Sequence, residues 1–446
     1  MMFPSDKTGF HSPRAGLSCP TILLGKSAMH VVVIGAGIVG AATALELLRD
    51  GHQVTIIEPG PPGGEQAASY GNGCWLSPSS VLPMSAPGLW KKVPGFLADP
   101  LGPLAMRWRY LPRAWPWLRR FLAAGSTPAK LRAIATALRP LVAGCPALHK
   151  RLAEEAGVGQ LIHQTGLLYV FPSRADFEAE KLGWTIRHEQ GVRWTELNGD
   201  ELRQLEPALD RRYQFAAFVQ DGGHCSDPGA YVAALVAHAQ AQGAKLVPAR
   251  ATGFGLADGR LRAVMSSTGE VVCDRAVIAA GAHSKALAAM VGDLVPLETE
   301  RGYHAEISHP ESAPRIPIMP SDSKAATTTT ANGLRIAGQV EIAGLDAAPD
   351  WRRAEILRDF VRKVIPGLPA DLLADRVKFW MGHRPSTPDG LPCMGPASGC
   401  ADVVHAFGHG HVGLAAGAIS GRLVADLVSG KPPVIDPAPY AAARFQ

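Results

Sequence analysis

Apolar and polar positions along this chain of 446 residues switch between two periods, and the switches mark its elements. Residues 31–34 form an unbroken apolar run, Val-Val-Val-Ile, of the kind that makes a strand covered on both faces. The run breaks at Gly35, and from residue 38 a 3.6-residue periodicity predicts a helix. A second strand over 54–57 ends in Glu58. Helices are predicted over 129–157, 175–190 and 228–242, the last with Asp227 as N-cap and Pro228 at its first position. Residues 161–171 read as strand, turn and strand. A meander over 251–256, 260–266 and 270–273 turns at Asp258-Gly259 and Thr268-Gly269, and leads into a buried strand over 276–281. A second β-rich region spans 297–345, with strands over 302–308, 326–330 and 334–341 and a hairpin signal at Asn332-Gly333. A helix over 351–364, a short strand over 378–381 and a loop over 382–390 follow. A strand over 403–407, a glycine loop over 408–413 and a helix over 414–427 complete the pattern. Residues 1–28 show no sustained period and carry Pro4, Gly9, Pro13, Gly16 and Pro20. They read as a disordered extension, or as sequence upstream of a start at Met29.

The first break carries chemistry. Val33 and Ile34 close the strand, and Gly35-Ala36-Gly37-Ile38-Val39-Gly40 is a G-x-G-x-x-G turn between strand and helix. In such a turn the first glycine makes the bend, the second lets a ligand approach the backbone, and the third packs helix on strand. The helix N-terminus offers free N–H groups and partial positive charge to a diphosphate. Glu58 stands at the spacing of an acid that binds ribose hydroxyls. Together these predict a dinucleotide site. Ser69, Asn72 and Gly73 lie in a loop of small residues that lets backbone lie close to a flat ring system. Ala280 and Gly281 end the 276–281 strand without bulk, where a ligand can cross the sheet edge. Gly408, Gly410, His411, Val412 and Gly413 form a second glycine loop ahead of a helix, so a second N-terminus can address the same ligand.

Composition narrows the partners. The chain is 47% hydrophobic and 19% charged with a net charge of +5, which gives no bulk electrostatic case for nucleic acid. Seven scattered cysteines with no C-x-x-C argue against a disulfide framework, zinc or an iron–sulfur cluster, and favour a reducing, cytoplasmic compartment. No metal site is expected. No uninterrupted apolar run reaches bilayer length. Residues 89–126 stand apart: Trp90, Trp108, Trp115 and Trp117 alternate with Lys91, Lys92, Arg107, Arg109, Arg113, Arg119 and Arg120, and Asp99 is the only acid. Such a stretch suits peripheral contact with an anionic membrane, including the inner face of the plasma membrane. Pro103, Pro112 and Pro116 break any long amphipathic helix, and favour a helical cap with tryptophans inside and arginines wet.

Five stretches in this order resemble the D-amino-acid oxidase-like FAD oxidoreductases, and within them the bacterial D-amino-acid dehydrogenases of small-subunit type. They are residues 31–45, 69–73, 277–281, 382–390 and 408–413. The resemblance runs from about Met29 to about Pro437. It implies an α/β fold with a Rossmann-like FAD-binding domain assembled from 29–83, 223–295 and 382–437. An interleaved antiparallel-sheet cap for substrate would come from 84–222 and 296–381. It implies FAD as cofactor and a D-amino acid, or a cyclic D-imino acid such as D-proline or D-hydroxyproline, as substrate. Oxidation to the imino and 2-oxo acid by hydride transfer to flavin N5 would pass electrons to a quinone or other acceptor. Arg384 matches the family position that binds substrate carboxylate, and Tyr303 is the next candidate donor to it. The chain departs from the better-known dehydrogenases at His383 and His411, either of which can line the pocket or take the amine proton. A secondary-amine or N-methylglycine oxidase, and a flavoprotein subunit of a hetero-oligomeric dehydrogenase, are the alternatives. A homo-oligomer is the other assembly to expect, and one with full turnover on its own would exclude the subunit reading.

Overall fold

The computed structural model describes residues 28–446 apart from 94, 96–100, 103 and 370–373. The expected disorder of 1–28 therefore lies almost wholly outside the described residues, as do Pro103 and Asp99.

Strand His30–Ile34 is apolar throughout because both its faces are covered. Val31 and Val33 share a core with helices Ile38–Arg49, Pro228–Ala241 and Gly413–Ser429. Val32 and Ile34 point the other way, into a core with Val264, Ile278, Leu287 and Phe407 beneath the three-stranded meander. The sheet runs Lys245–Val247, Gln53–Ile57, His30–Ile34, Arg275–Ile278, Val403–Phe407, Cys393–Pro396. All neighbours are parallel except the last pair. The strand order reverses between His30–Ile34 and Arg275–Ile278, and a ligand crevice opens at the carboxyl ends of such a pair.

A second sheet of nine strands carries the longer β-rich region. Its edge runs Val377–Ser386, Glu298–Ile307, Gly333–Ile342, Ala326–Thr330, all antiparallel. Helix Arg352–Val364 covers one face, where Tyr303, Ala305, Ile307 and Ile336 pack on Leu357 and Val361. The alternate residues face the loop that precedes strand Trp75–Leu76. His304 Nδ1 lies 3.0 Å from the Gly71 carbonyl, and Trp380 Nε1 donates to the Glu65 carbonyl at 2.9 Å.

Several expectations shift. The strand expected over 378–381 runs on to Ser386, so Gly382 and Arg384 belong to the nine-stranded sheet and not to a loop. Helices Pro128–Val142 and Cys145–Glu155, expected in the cap, share the apolar core of the first sheet through Leu131, Leu138, Leu141 and Leu152. Residues Leu111–Ala124 are one helix despite their prolines. Pro112 sits in the first turn, where its missing N–H costs nothing, and Pro116 only a turn later. Trp117 is buried and stacked on Phe121, whereas Trp90, Trp108 and Trp115 are 64%, 62% and 55% exposed, so the tryptophans divide between core and surface. Two helical stretches, Pro128–Glu155 and Gly410–Ser429, are long and apolar enough to cross a membrane by composition alone. The first is two helices broken at Gly144, and the second packs between sheet and helices with Leu423 and Val424 fully buried.

Helix Gly413–Ser429 approaches helix Ile38–Arg49 so closely that a Cβ on Gly421 would lie 2.7 Å from the Ala42 carbonyl carbon. Gly421→Leu should therefore lower stability by about 2–3 kcal/mol or more despite leucine's better helix propensity. A fall in thermal unfolding midpoint is the readout.

Candidate active site

Three strand ends meet at the crevice. Gly35 has φ +108 and its Cβ position lies 2.5 Å from the Ala279 carbonyl oxygen, so the turn is wedged against the neighbouring strand end. A Cβ on Gly40 would run into the Gly35 carbonyl. Gly37 differs: the single neighbour within reach of its Cβ position is Ser69 Oγ at 3.5 Å. Gly281, at φ +55, faces open space. Two glycines thus serve packing, while Gly37 and Gly281 border free volume at the head of helix Ile38–Arg49. The first turn of that helix points N–H groups there. The Ile38 N–H donates to Ser69 Oγ at 3.1 Å, and the Ala36 N–H donates to Glu58 at 2.8 Å. Glu58 also accepts from the Gly60 N–H at 3.3 Å, which fixes its carboxylate at the strand's carboxyl edge. These residues fit a dinucleotide: a diphosphate at the helix head beside Gly37 and Ser69, with ribose hydroxyls at Glu58.

The loop at 69–73 behaves differently from its sequence reading. Asn72 spends its amide on its own loop, donating to the Ser69 carbonyl at 2.6 Å and accepting from the Cys74 N–H at 2.6 Å. A Cβ on Gly71 would strike the Trp380 indole, and one on Gly73 would lie 2.9 Å from Ala326 Cβ. The flat ring against Gly71 is the chain's own tryptophan. The smallness of the two glycines seats the loop on the nine-stranded sheet.

The C-terminal glycine loop forms as expected. Strand Val403–Phe407 leads through Gly408, at φ +86, into a short turn Gly410–Val412 and helix Gly413–Ser429. Val412 is buried, and a Cβ on Gly410 would lie 3.3 Å from Ser386 Oγ. His411 projects into the space between the sheets. Its ring is open to that cleft yet surrounded by protein, and burial, reinforced by the Arg384 charge, pushes it down to about 4. The imidazole is neutral at physiological pH.

Arg384 lies on strand Val377–Ser386, where its guanidinium covers Gly302 and donates to the Gln339 carbonyl at 3.0 Å and the Gly338 carbonyl at 3.4 Å. Those carbonyls are turned toward it by a register shift in the pairing with Gly333–Ile342, with Gln339 at φ +59. Among the described residues no carboxylate forms an ion pair with Arg384. Asp389, its neighbour in sequence, is held by Arg444 at 2.9 Å. A guanidinium desolvated by burial and held only by carbonyls is a receptor for a carboxylate.

Tyr303 does not join it. It lies on the opposite face of the same sheet, with its hydroxyl donating to Glu341 at 2.7 Å and accepting from the Asp350 N–H at 3.0 Å. His383 also alternates away from Arg384 and bonds Thr299 Oγ1 at 2.9 Å, with burial pushing it down to about 4. The residue that sequence reasoning missed is Glu300. It sits directly opposite Arg384 in the strand register and lines one cavity with Met84, Phe121, Ser386, Gly410 and His411. A signal was present: acids at 298, 300 and 306 recur at strand spacing in a fully buried strand, which marks a lined interior.

The comparisons agree with this geometry. The model of the family described as FAD dependent oxidoreductase matches residues 30–427. A relative from Bradyrhizobium diazoefficiens named D-amino-acid oxidase is 59% identical over 93% of this chain and 99% of its own length. A D-amino acid dehydrogenase from Paramagnetospirillum magneticum is 32% identical over 94% of this chain and 99% of its own. Among solved structures, glycine oxidase from Geobacillus kaustophilus superposes with a TM-score of 0.69 at 22% identity, over 94% of this chain and 99% of its own. With an open glycine turn at the strand-order reversal and a family match across nearly its whole length, this chain belongs to the FAD dependent oxidoreductase family and uses FAD.

Proposed function

We propose that the protein oxidises D-amino acids, or cyclic D-imino acids, to the corresponding imino acids, which hydrolyse to 2-oxo acids. The observation that carries this is Arg384: a cation that makes no ion pair among the described residues, held by strand and carbonyls beside Glu300, which lines a cavity with His411. The relatives at 59% and 32% identity are named for D-amino acids, which supports the same substrate class here. Bound FAD supplies the hydride acceptor. The chain's own part is to seat the substrate carboxylate on Arg384, to exclude water with Phe121 and Met84, and to offer a neutral His411 against the substrate. The secondary-amine alternative is less well supported. Covalent flavin attachment needs a reactive thiolate, and Cys393 is fully buried with burial pushing its thiol up to about 12.

Three exposed indoles favour a second reading, in which electrons leave toward a quinone and the enzyme rests on an anionic membrane surface. Trp108 and Arg109 lie in a short turn, and Trp115 lies beside exposed Arg113, Arg119 and Arg120 on the following helix, which contains no acid. On this reading the enzyme works in the cytoplasm at the inner face of the plasma membrane, and the cysteines among the described residues, all buried and free, are compatible with that compartment.

Arg384→Ala should lower kcat/KM for D-amino acids by ~10²-fold or more, mainly through KM, because a charge-assisted bidentate contact is lost. Arg384→Lys should recover only part of it. Steady-state kinetics and anaerobic bleaching of the flavin across a D-amino acid panel are the measurements; unchanged kinetics would remove Arg384 from the site. Gly37→Val should fold but purify colourless, since its Cβ has room beside Ser69 and its methyl groups fill the diphosphate space. A yellow, flavin-loaded variant would contradict the assigned seat. Wild-type protein should sediment with vesicles containing phosphatidylglycerol but not with neutral ones, and the double variant Arg119→Glu, Arg120→Glu should remain in solution. No sedimentation of the wild type rules out the surface contact.

A further inference from the structure

Glu300 is the buried acid that the seat of Arg384 does not account for. It lies on strand Glu298–Ile307 at the register position facing Arg384, with its carboxylate on the cavity that His411 and Gly410 close from the C-terminal side. Each element packed on it can be named. Strand Val377–Ser386 presents Arg384 and the Ser386 hydroxyl, and strand Gly333–Ile342 presents Ile342. Helix Leu111–Ala124 contributes Trp117 and Phe121, which share a core with Ile342. The C-terminal turn contributes His411, and residue 84 a methionine. Glu298, two positions back on the same strand, is held by the Tyr110 hydroxyl at 3.0 Å. Among the described residues the charge that acts on Glu300 is therefore Arg384, and burial outweighs it, so the carboxyl is raised above the usual range.

The charges in this cleft balance in a particular way. Arg384 is positive, Glu300 negative when ionised, and His411 neutral. A zwitterionic amino acid adds no net charge. Hydride loss from Cα requires the neutral amine, and an amino acid with a neutral amine carries one negative charge. A desolvated cleft tolerates that extra charge poorly unless a proton stays inside it. Glu300 can keep it.

We propose that Glu300 is the acceptor of the proton that the substrate's α-ammonium gives up before hydride transfer. This rests on the reading in which Arg384 holds the carboxylate of a D-amino acid. An N–H bond of the ammonium breaks with its electron pair left on nitrogen, and an O–H bond forms on the Glu300 carboxylate. The hydride then goes to the bound FAD, and the proton on Glu300 returns to solvent as the imino acid leaves. His411 is the weaker candidate, because burial and Arg384 both oppose its charged form, whereas burial favours a protonated Glu300.

The experiment uses FAD-loaded enzyme and benzoate, a carboxylate with no amine. Binding is followed by titration calorimetry from about pH 5 to about pH 9, in buffers of differing ionisation enthalpy. A bare carboxylate on Arg384 brings the same single negative charge as the deprotonated substrate. Wild-type enzyme should therefore take up a proton on binding, with a maximum inside this range, and Glu300→Gln should bind benzoate with no uptake at any pH. In turnover, Glu300→Gln should lose about 10²-fold in kcat/KM near neutrality, and the deficit should shrink as pH rises toward the pKa of the free amine. No uptake by the wild type, the same uptake in Glu300→Gln, or a pH-independent deficit overturns the proposal. Benzoate that binds wild type but not Arg384→Ala, without proton uptake, sinks Glu300 alone. Benzoate that fails to bind wild type at all sinks the Arg384 reading, and Glu300 with it.

Discussion

The structure depends on how closely bare backbone can approach bare backbone at the end of strand His30–Ile34. The carbonyl of Gly35 occupies the place where a Gly40 side chain would begin, and Gly35 itself is wedged on the Ala279 carbonyl. This contact fixes the first helix at the correct height on its strand. It brings the carboxyl ends of His30–Ile34 and Arg275–Ile278 together, and leaves Gly37 and Gly281 facing free volume. A seat built this way is rigid, because it is made of main chain on main chain, whose cost of misplacement is a steric overlap and not a softened side-chain contact. Segments more than two hundred residues apart in sequence can therefore present one continuous surface to a dinucleotide.

The substrate side follows the same logic with a different device. Arg384 is long and flexible, yet its stem is held in strand, its guanidinium lies flat over Gly302, and two carbonyls receive its donors. The carbonyls are aimed by the irregular pairing at Gly338–Gln339, and Gln339 is held at positive φ, with its side-chain oxygen accepting from buried Arg353 at 2.9 Å. Non-glycine residues at positive φ cost about 1–3 kcal/mol and persist where surrounding contacts dictate them. Here that cost is offset by an arginine held at the cleft with N–H capacity left for a ligand.

Much of this was legible in the sequence, for identifiable reasons. Strand periods, the Asp258-Gly259 turn with both residues at positive φ, the Asp227 cap and the two glycine loops are local signals, and local physics determines them. What escaped reading was non-local. Tyr303 and Arg384 sit on adjacent strands, but strand parity puts them on opposite faces, and parity depends on a register that no single strand reveals. The prolines at 112 and 116 suggested a break; Pro112 falls in the first turn, where N–H groups have no intrahelical partner to lose, and the helix continues through Pro116 with Trp117, Leu118 and Phe121 packed on its buried face. The glycines at 71 and 73 suggested a ligand ring; they meet Trp380 and Ala326, residues far away in sequence. Glu300 was passed over because the expected strand began at Gly302, so the spacing of the acids at 298, 300 and 306 was not set against a cross-strand partner.

The two halves of the site hang on different sheets, so the distance between flavin seat and substrate seat depends on what joins them. Beside the His304 and Trp380 contacts, the charged join is Arg335. It donates to the Tyr70 carbonyl at 3.0 Å and the Asn72 carbonyl at 3.2 Å, in the loop whose Ser69 touches the first helix. It is neutralised by Glu306 at 3.1 Å on the adjacent strand of the second sheet, and both side chains are almost wholly buried. A buried pair of this kind is a poor source of net stability, because desolvation consumes most of the attraction. Its value is geometric. Two loop carbonyls and two carboxylate oxygens satisfy one planar guanidinium in a single arrangement, and a slide of the loop leaves a charge unpaired inside the protein. Hydride transfer is steep in distance and angle, so a join that permits one arrangement serves catalysis better than an apolar contact that permits several.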